Sequence, residues 1–237
     1  MVCFQETMAA RTDNTIVAMP SYNEARTIGV IIRDIVKMGI SVLVIDDGSA
    51  DNTEHMALDS GAMVMRNRKN FGKGFSIREG IKYVLKKTNF EWMIIMDADG
   101  QHHAEDIPAL MEATRGEGSE PDIVIGNRML NSEPMPPMRY LTNRFMSRVV
   151  SGICRQDIPD TQCGYRIIKV SSLEKLELTS KKYDIDSEML ITAAAKNMII
   201  RSVPVQTIYG EEISKIRPIR DTLRFMTLIL KHHLDRR

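Results

Sequence analysis

The sequence predicts an α/β fold built on a doubly wound, mainly parallel sheet. Short apolar runs alternate with segments of helical period, the runs are almost free of polar residues, and three of them end in polar clusters. Strand–helix alternation implies right-handed βαβ units, and strands covered on both faces need continuous apolar character. In such sheets a ligand sits outside the carboxyl ends of the strands. Here those ends carry Pro20-Ser21-Tyr22-Asn23-Glu24, Asp46-Asp47 and Asp97-Ala98-Asp99, so three polar clusters converge on one edge.

The elements follow in order. Residues 15–20 read as a buried strand, and 24–38 as a helix with Ile28, Ile31, Ile32, Ile35 and Val36 on one face. A strand at 41–45 runs into Asp46-Asp47-Gly48-Ser49, followed by a helix at 51–60 and a short strand at 62–66. Residues 72–87 read as a helix with Ile77, Ile81, Val84 and Leu85 inward. The strand at 92–96 leads into Asp97-Ala98-Asp99-Gly100, and a helix at 104–115 precedes a strand at 122–125. Three prolines within 131–137 mark a boundary loop. Residues 138–153 are amphipathic, with Met, Leu, Phe and Val between Arg139, Arg144 and Arg148. Residues 161–209 add a strand, a helix near 186–197 and a final strand at 202–209.

The totals set limits. A chain of 237 residues, 43% apolar and 27% charged, has material for one large globular domain. Its net charge of +1 creates no global field for nucleic acid. Three cysteines, Cys3, Cys154 and Cys163, without a CxxC pair read as reduced thiols of a cytosolic protein. Residues 1–14 carry Glu6, Arg11 and Asp13 and read as neither signal peptide nor anchor. No stretch reaches the ~20 apolar residues that span a bilayer, so a soluble or peripheral protein is expected.

Two carboxylates one residue apart at a strand end suit a hard divalent cation, Mg²⁺ or Mn²⁺, whose remaining positions go to water and phosphate. Such an ion neutralises charge on a departing diphosphate. The competing reading is that Asp97 and Asp99 cap the following helix. The Asp46-Asp47 cluster on the same edge favours the metal, because two acidic clusters repel unless a cation or donor lies between them. His102 and His103 read as hydrogen-bonded surface residues, with ligation the alternative. Gly72-Lys73-Gly74 opens a helix, where free amides and Lys73 offer a phosphate site or merely a solvated start. Its spacing is not that of a P-loop. The segment 218–237 interleaves Leu223, Phe225, Met226, Leu228 and Ile229 with basic residues, as a membrane-surface helix or a packed helix with a basic rim would.

Taken together, Pro20-Ser21-Tyr22-Asn23-Glu24, Asp46-Asp47-Gly48-Ser49, Gly72-Lys73-Gly74, Asp97-Ala98-Asp99-Gly100-Gln101-His102, Gly126-Asn127-Arg128, Asp160-Thr161-Gln162-Cys163-Gly164-Tyr165 and Ser214-Lys215 resemble family 2 glycosyltransferases. The likeness runs from about Thr15 to Phe225 and is closest to the dolichyl- or polyprenyl-phosphate sugar synthases. It implies a GT-A (Rossmann-like) fold with C-terminal amphipathic helices, and Pro20, Tyr22, Glu24, Ile45 and Asp47 around the donor's base and ribose. Asp97, Ala98 and Asp99 would meet the donor diphosphate, with Asp97, Asp99 and Gln101 around the metal. Arg128, Arg139 and Lys215 would face phosphate of donor or lipid acceptor, and Asp99, Arg128 and Lys215 would carry catalysis.

In the family resembled, a lipid-phosphate oxygen attacks the anomeric carbon as nucleoside diphosphate leaves, which implies inversion without a strong general base. Mannosyl members carry arginine before a Gly-x-Ser-Lys element; here Tyr209-Gly210-Glu211-Glu212-Ile213-Ser214-Lys215 is acidic, which favours a UDP-sugar, with GDP-mannose second. The rivals are a transferase to a sugar hydroxyl, with Asp160 or Glu188 as base, and a non-catalytic nucleotide-sugar-binding scaffold. The expected organisation is an extension (1–14), a catalytic domain (15–209) and a basic amphipathic segment (210–237), with residues 138–153 and the C-terminal basic helix together expected to attach the protein peripherally at the cytoplasmic face of a membrane.

Overall fold

The computed structural model of the chain describes residues 14–115, 119–131 and 135–206. β1 (Thr15–Ser21) pairs in parallel with β2 (Ser41–Asp46) on one side and β4 (Trp92–Ile95) on the other, and β2 with β3 (Met63–Arg66). Farther along, β5 (Ile123–Asn127) runs parallel to β7 (Ile200–Pro204). Between β4 and β5 lies β6 (Arg166–Lys169), antiparallel to both. The seven-stranded order is β3-β2-β1-β4-β6-β5-β7.

Helices α1 (Ile28–Lys37), α2 (Thr53–Asp59) and α3 (Lys73–Lys87) alternate with β1 to β4, which is what parallel neighbours require. Then come α4 (Ile107–Ala113), α5 (Pro137–Cys154), α6 (Val170–Leu173) and α7 (Ile185–Ala195). On α1, Ile28, Ile31, Ile32 and Ile35 enter the core, each contributing roughly 1.5–3 kcal/mol by burial. Val36 does not join them and stands 41% exposed. On α3, Ile77, Ile81 and Val84 are buried and Leu85 packs at the core's margin.

Three local departures have physical causes. The helix expected over 104–115 is a 3₁₀ turn (Ala104–Asp106) followed by α4, since Pro108, without an N–H, fits only a first turn. The last strand begins at Ile200, two residues earlier than the apolar pattern indicates, because β7 takes its register from Ile123 of β5. Its expected extension over 207–209 lies outside the described residues. Among the described residues no helix is long and apolar enough to cross a membrane.

Candidate active site

The edge formed by the carboxyl ends of β1, β2 and β4 holds the acidic clusters. Beyond β4, Thr27 Oγ1 donates to the Ala98 carbonyl at 2.7 Å and pins the peptide between Asp97 and Asp99. Asp99 Oδ1 accepts from the Gln101 amide at 3.0 Å, closing a turn through Gly100 at φ 78°. The capping alternative fails: neither the 3₁₀ turn nor α4 has a side-chain cap.

Lys73, at the start of α3, reaches this turn. Its Nζ lies 2.8 Å from Asp97 Oδ1 and 3.0 Å from Asp186 Oδ2, at the head of α7. Asp186 Oδ1 in turn accepts from Arg166 Nη2 at 3.1 Å, and the same nitrogen donates to the Cys163 carbonyl at 2.6 Å. Burial alone would lower the Lys73 pKa, but the Asp186 and Asp97 carboxylates outweigh it and raise it. For Asp97 burial favours the neutral acid, yet the Lys73 ammonium prevails and holds it below the usual carboxylate range. Gly164 passes so close that an added Cβ would overlap the Asp97 carboxylate and stand 2.9 Å from Lys73 Nζ. That contact is a physical reason for glycine in the Cys163-Gly164-Tyr165 turn.

At the α3 start some backbone amides already have partners. The Phe71 and Gly72 amides donate to Asp47 at 3.0 and 2.6 Å, and the Phe75 amide to the Lys181 carbonyl at 3.2 Å. Nor does repulsion between the acidic clusters demand a cation. Asp47 also accepts from Asn67 Nδ2 at 2.9 Å, while Asp46 accepts from the Ser49 amide at 2.9 Å and faces Arg66 Nε at 3.6 Å.

A second buried pair lies beside the first. Arg128 Nε and Nη2 donate to Asp160 Oδ2 and Oδ1 at 2.7 and 2.9 Å, and the Arg128 amide to Oδ2 at 3.1 Å. Burial would raise the Asp160 pKa, but Arg128 lowers it, so the carboxylate stays ionised. Glu188, the other expected base, accepts from the Thr179 amide and hydroxyl and the Ser180 amide at 2.7–2.9 Å. His102 is no surface residue: it is buried, its ring 4.9 Å from that of Tyr165, and burial pushes its pKa down to about 4. Burial pushes the Cys163 thiol up to about 12, which makes it inert at neutral pH.

Among the expected donor residues, Pro20 pairs with Ile45 across β1 and β2, and Tyr22 and Glu24 are half-buried. Ile45 is fully buried and packs towards Gly80, supporting the strand end from the core. The 20–24 loop is tied to the 49–53 loop by Asn23 N to Ser49 Oγ and Glu24 N to Thr53 Oγ1, both 2.9 Å. Arg139, on the first turn of α5, has Nη2 3.4 Å from Gln101 Oε1. Asp97, Gln101, Lys73 and Arg139 therefore meet in one place, with the Arg128–Asp160 pair acting on the adjacent His102. Lys215 lies outside the described residues.

Thr27, Arg166 and Asp186 went unforeseen. Arg166, beside the apolar pair Ile167-Ile168 at the head of the strand Arg166–Lys169, was the available signal for a buried ion pair.

As a metal site the turn offers two carboxylates and an amide oxygen, from Asp97, Asp99 and Gln101. Among the described residues no group of three or more His, Cys, Asp or Glu gathers. So sparse a set of hard oxygens suits Mg²⁺ or Mn²⁺, which draws its other ligands from water and phosphate.

Known proteins resemble this chain over most of its length. The model of glycosyl transferase family 2 matches residues 16–177. The chain is 33% identical over 217 residues to the glycosyltransferase AglJ of Haloferax volcanii, covering 88% of this chain and 68% of that one. It is 26% identical over 216 residues to the UDP-N-acetylglucosamine–dolichyl-phosphate N-acetylglucosaminyltransferase of Methanococcus voltae, covering 81% and 85%. Among solved structures, glucosyl-3-phosphoglycerate synthase from Mycobacterium tuberculosis in complex with Mg²⁺ and UDP matches at TM-score 0.70 and 21% identity, over 96% of this chain and 82% of that one. That likeness shows the shared GT-A fold.

Proposed function

The chain belongs to glycosyltransferase family 2, and we propose that it moves a hexose from a nucleotide sugar to polyprenyl or dolichyl phosphate with inversion at the anomeric carbon. One observation carries the choice of acceptor. Both carboxylates available as a base for a hydroxyl acceptor are committed elsewhere, Asp160 to Arg128 and Glu188 to the Thr179–Ser180 backbone. A phosphate is ionised at neutral pH and needs no base. Beside Gln101 the group presented is instead a cation, Arg139, suited to a phosphate oxygen.

In this reading Pro20, Tyr22, Glu24 and Asp47 line the base and ribose pocket, with Ile45 behind them. Asp97, Asp99 and Gln101 would hold Mg²⁺ or Mn²⁺, which supplies Lewis-acid neutralisation of the diphosphate. Lys73 keeps Asp97 ionised and oriented beside the donor phosphate. Arg139 orients the acceptor, joined by Lys215, and Arg128 adds positive potential from behind its pair with Asp160. A phosphate oxygen forms the new bond to the anomeric carbon as the bond to the diphosphate breaks. UDP is the favoured carrier, which the Methanococcus voltae relative's name supports, with GDP second.

The test is a donor screen with Mg²⁺ or Mn²⁺, a short polyprenyl phosphate, and UDP-glucose, UDP-N-acetylglucosamine or GDP-mannose in parallel. Lipid-linked sugar from one donor, lost on chelation, establishes the reaction. Transfer to 3-phosphoglycerate or a sugar hydroxyl, with none to the lipid phosphate, overturns it.

A further inference from the structure

Lys73 stands on the very atoms expected to hold a cation. Its Nζ is 2.8 Å from Asp97 Oδ1 and 3.0 Å from Oδ2, so one ammonium engages both oxygens of that carboxylate. The ammonium has little room to retreat. Its side chain is 12% exposed, the Gly72 amide before it is fixed on Asp47, and the Tyr183 ring lies 6.0 Å away. Its second carboxylate, Asp186, stands 3.0 Å away and is locked in turn by the fully buried Arg166. Gln101 is met in the same way, with Arg139 Nη2 3.4 Å from its Oε1.

The charges of the site are already matched. Asp97, Asp99, Asp160 and Asp186 face Lys73, Arg128, Arg139 and Arg166, four carboxylates against four cations among the described residues. A bare divalent ion would therefore enter a balanced cluster and stand beside a buried ammonium, where repulsion is poorly screened. A diphosphate brings the negative charge that relieves it.

We infer that Lys73, held in place by Asp186 and Arg166, competes with the divalent cation for Asp97, so that the chain takes up the cation together with a diphosphate and not alone. The inference rests on the metal reading of Asp97, Asp99 and Gln101 and adds to it the order of loading. Asp186 makes the competition reversible: when Asp97 turns to the cation, Lys73 keeps a buried partner and stays in place. A lysine that did no more than orient Asp97 would help the cation bind, whereas a competing one holds it off.

The experiment titrates Mn²⁺ into the full chain and follows the paramagnetic resonance signal of the free ion, first without nucleotide and then with UDP, against a UDP–Mn²⁺ blank. Without nucleotide, Lys73→Met is expected to bind Mn²⁺ at least about tenfold more tightly than wild type. UDP should then tighten binding about tenfold less in the variant than in wild type. Lys73→Arg, which keeps the charge, stays as weak as wild type. Asp186→Asn leaves Lys73 leaning on Asp97 alone and should weaken nucleotide-free binding at least about threefold. Equal or weaker Mn²⁺ binding by Lys73→Met overturns the inference, and so does Lys73→Arg binding as tightly as Lys73→Met should. Where melting shows that Lys73→Met does not fold, Asp186→Asn decides, and unchanged or tighter binding there overturns the inference. Failure of the metal reading looks different: no form takes up Mn²⁺ even with UDP, and the inference falls with it. Uptake with UDP and no effect of the variants removes the inference alone.

Discussion

The two halves of this sheet present charge to the site in opposite ways. Through β4 the acidic residues stand at the ends of parallel strands, where short turns hold them with backbone amides, as Phe71 and Gly72 do for Asp47 and Gln101 for Asp99. From β5 onward the charges are buried and matched in pairs drawn from distant sequence: Arg128 with Asp160, Arg166 with Asp186. Lys73 bridges the two halves through Asp97 and Asp186. The two halves divide the labour: the first leaves Asp97 and Asp99 half-buried at the edge, within reach of a ligand, while Asp46 and Asp47 are buried beneath it, and the second supplies a rigid wall that sets where Asp97 sits. Removing Asp99 should then cost chemistry, and removing a second-half partner should cost the fold.

The sharpest attempt to break that division is Asp99→Ala. Transfer should fall about 10³-fold, ~4 kcal/mol of transition-state stabilisation, while melting stays close to wild type. A large loss of stability would instead place Asp99 with the structural pairs. Arg128→Met makes the opposite test. It strands the buried Asp160 carboxylate and should cost about 3 kcal/mol of stability in denaturant titration. Full stability with lost turnover would move Arg128 into the chemistry.

Gly164→Ala probes the bridge itself. Its Cβ would press on Asp97 and Lys73, so about 1–3 kcal/mol of stability and roughly tenfold in rate should go together. Loss of one without the other would separate wall from site.

The smallest effect is in pH. Asp160 and Asp97 have folded pKa values below the unfolded one, so the stability they contribute is present above about pH 4 and is lost as pH falls below it. Wild type should gain melting temperature from pH 3 to 6. Arg128→Met should lose the Asp160 share of that gain, since an unpaired buried Asp160 favours its proton, and keep the Asp97 share, which rests on Lys73.

Much of the first half was legible because its signals are local. An apolar run followed by Asp97-Ala98-Asp99 reads as a strand and its functional end, since a parallel strand's core-filling residues and its terminal turn are contiguous in the chain. What the sequence left hidden was hidden for the converse reason. His102 reads as a surface residue because nothing adjacent reveals that Tyr165, more than 60 residues on, covers it. The Gly72-Lys73-Gly74 start reads as a phosphate site or a solvated helix start because Asp47 and Lys181, which take the Gly72 and Phe75 amides, arrive from other elements.

The set of strands, the polar edge at their ends and the family those motifs resemble are legible in the chain itself, because each is a property of a short stretch. Folding settles the rest: β6 runs against its neighbours, Lys73 is the partner of Asp97 and Asp186, and Met138, Leu141 and Phe145 of α5 stay exposed. Those are facts of pairing: a residue's charge and size are written in the chain, but which buried charge answers it, or which surface leaves it uncovered, is set by elements that meet only once the chain has folded.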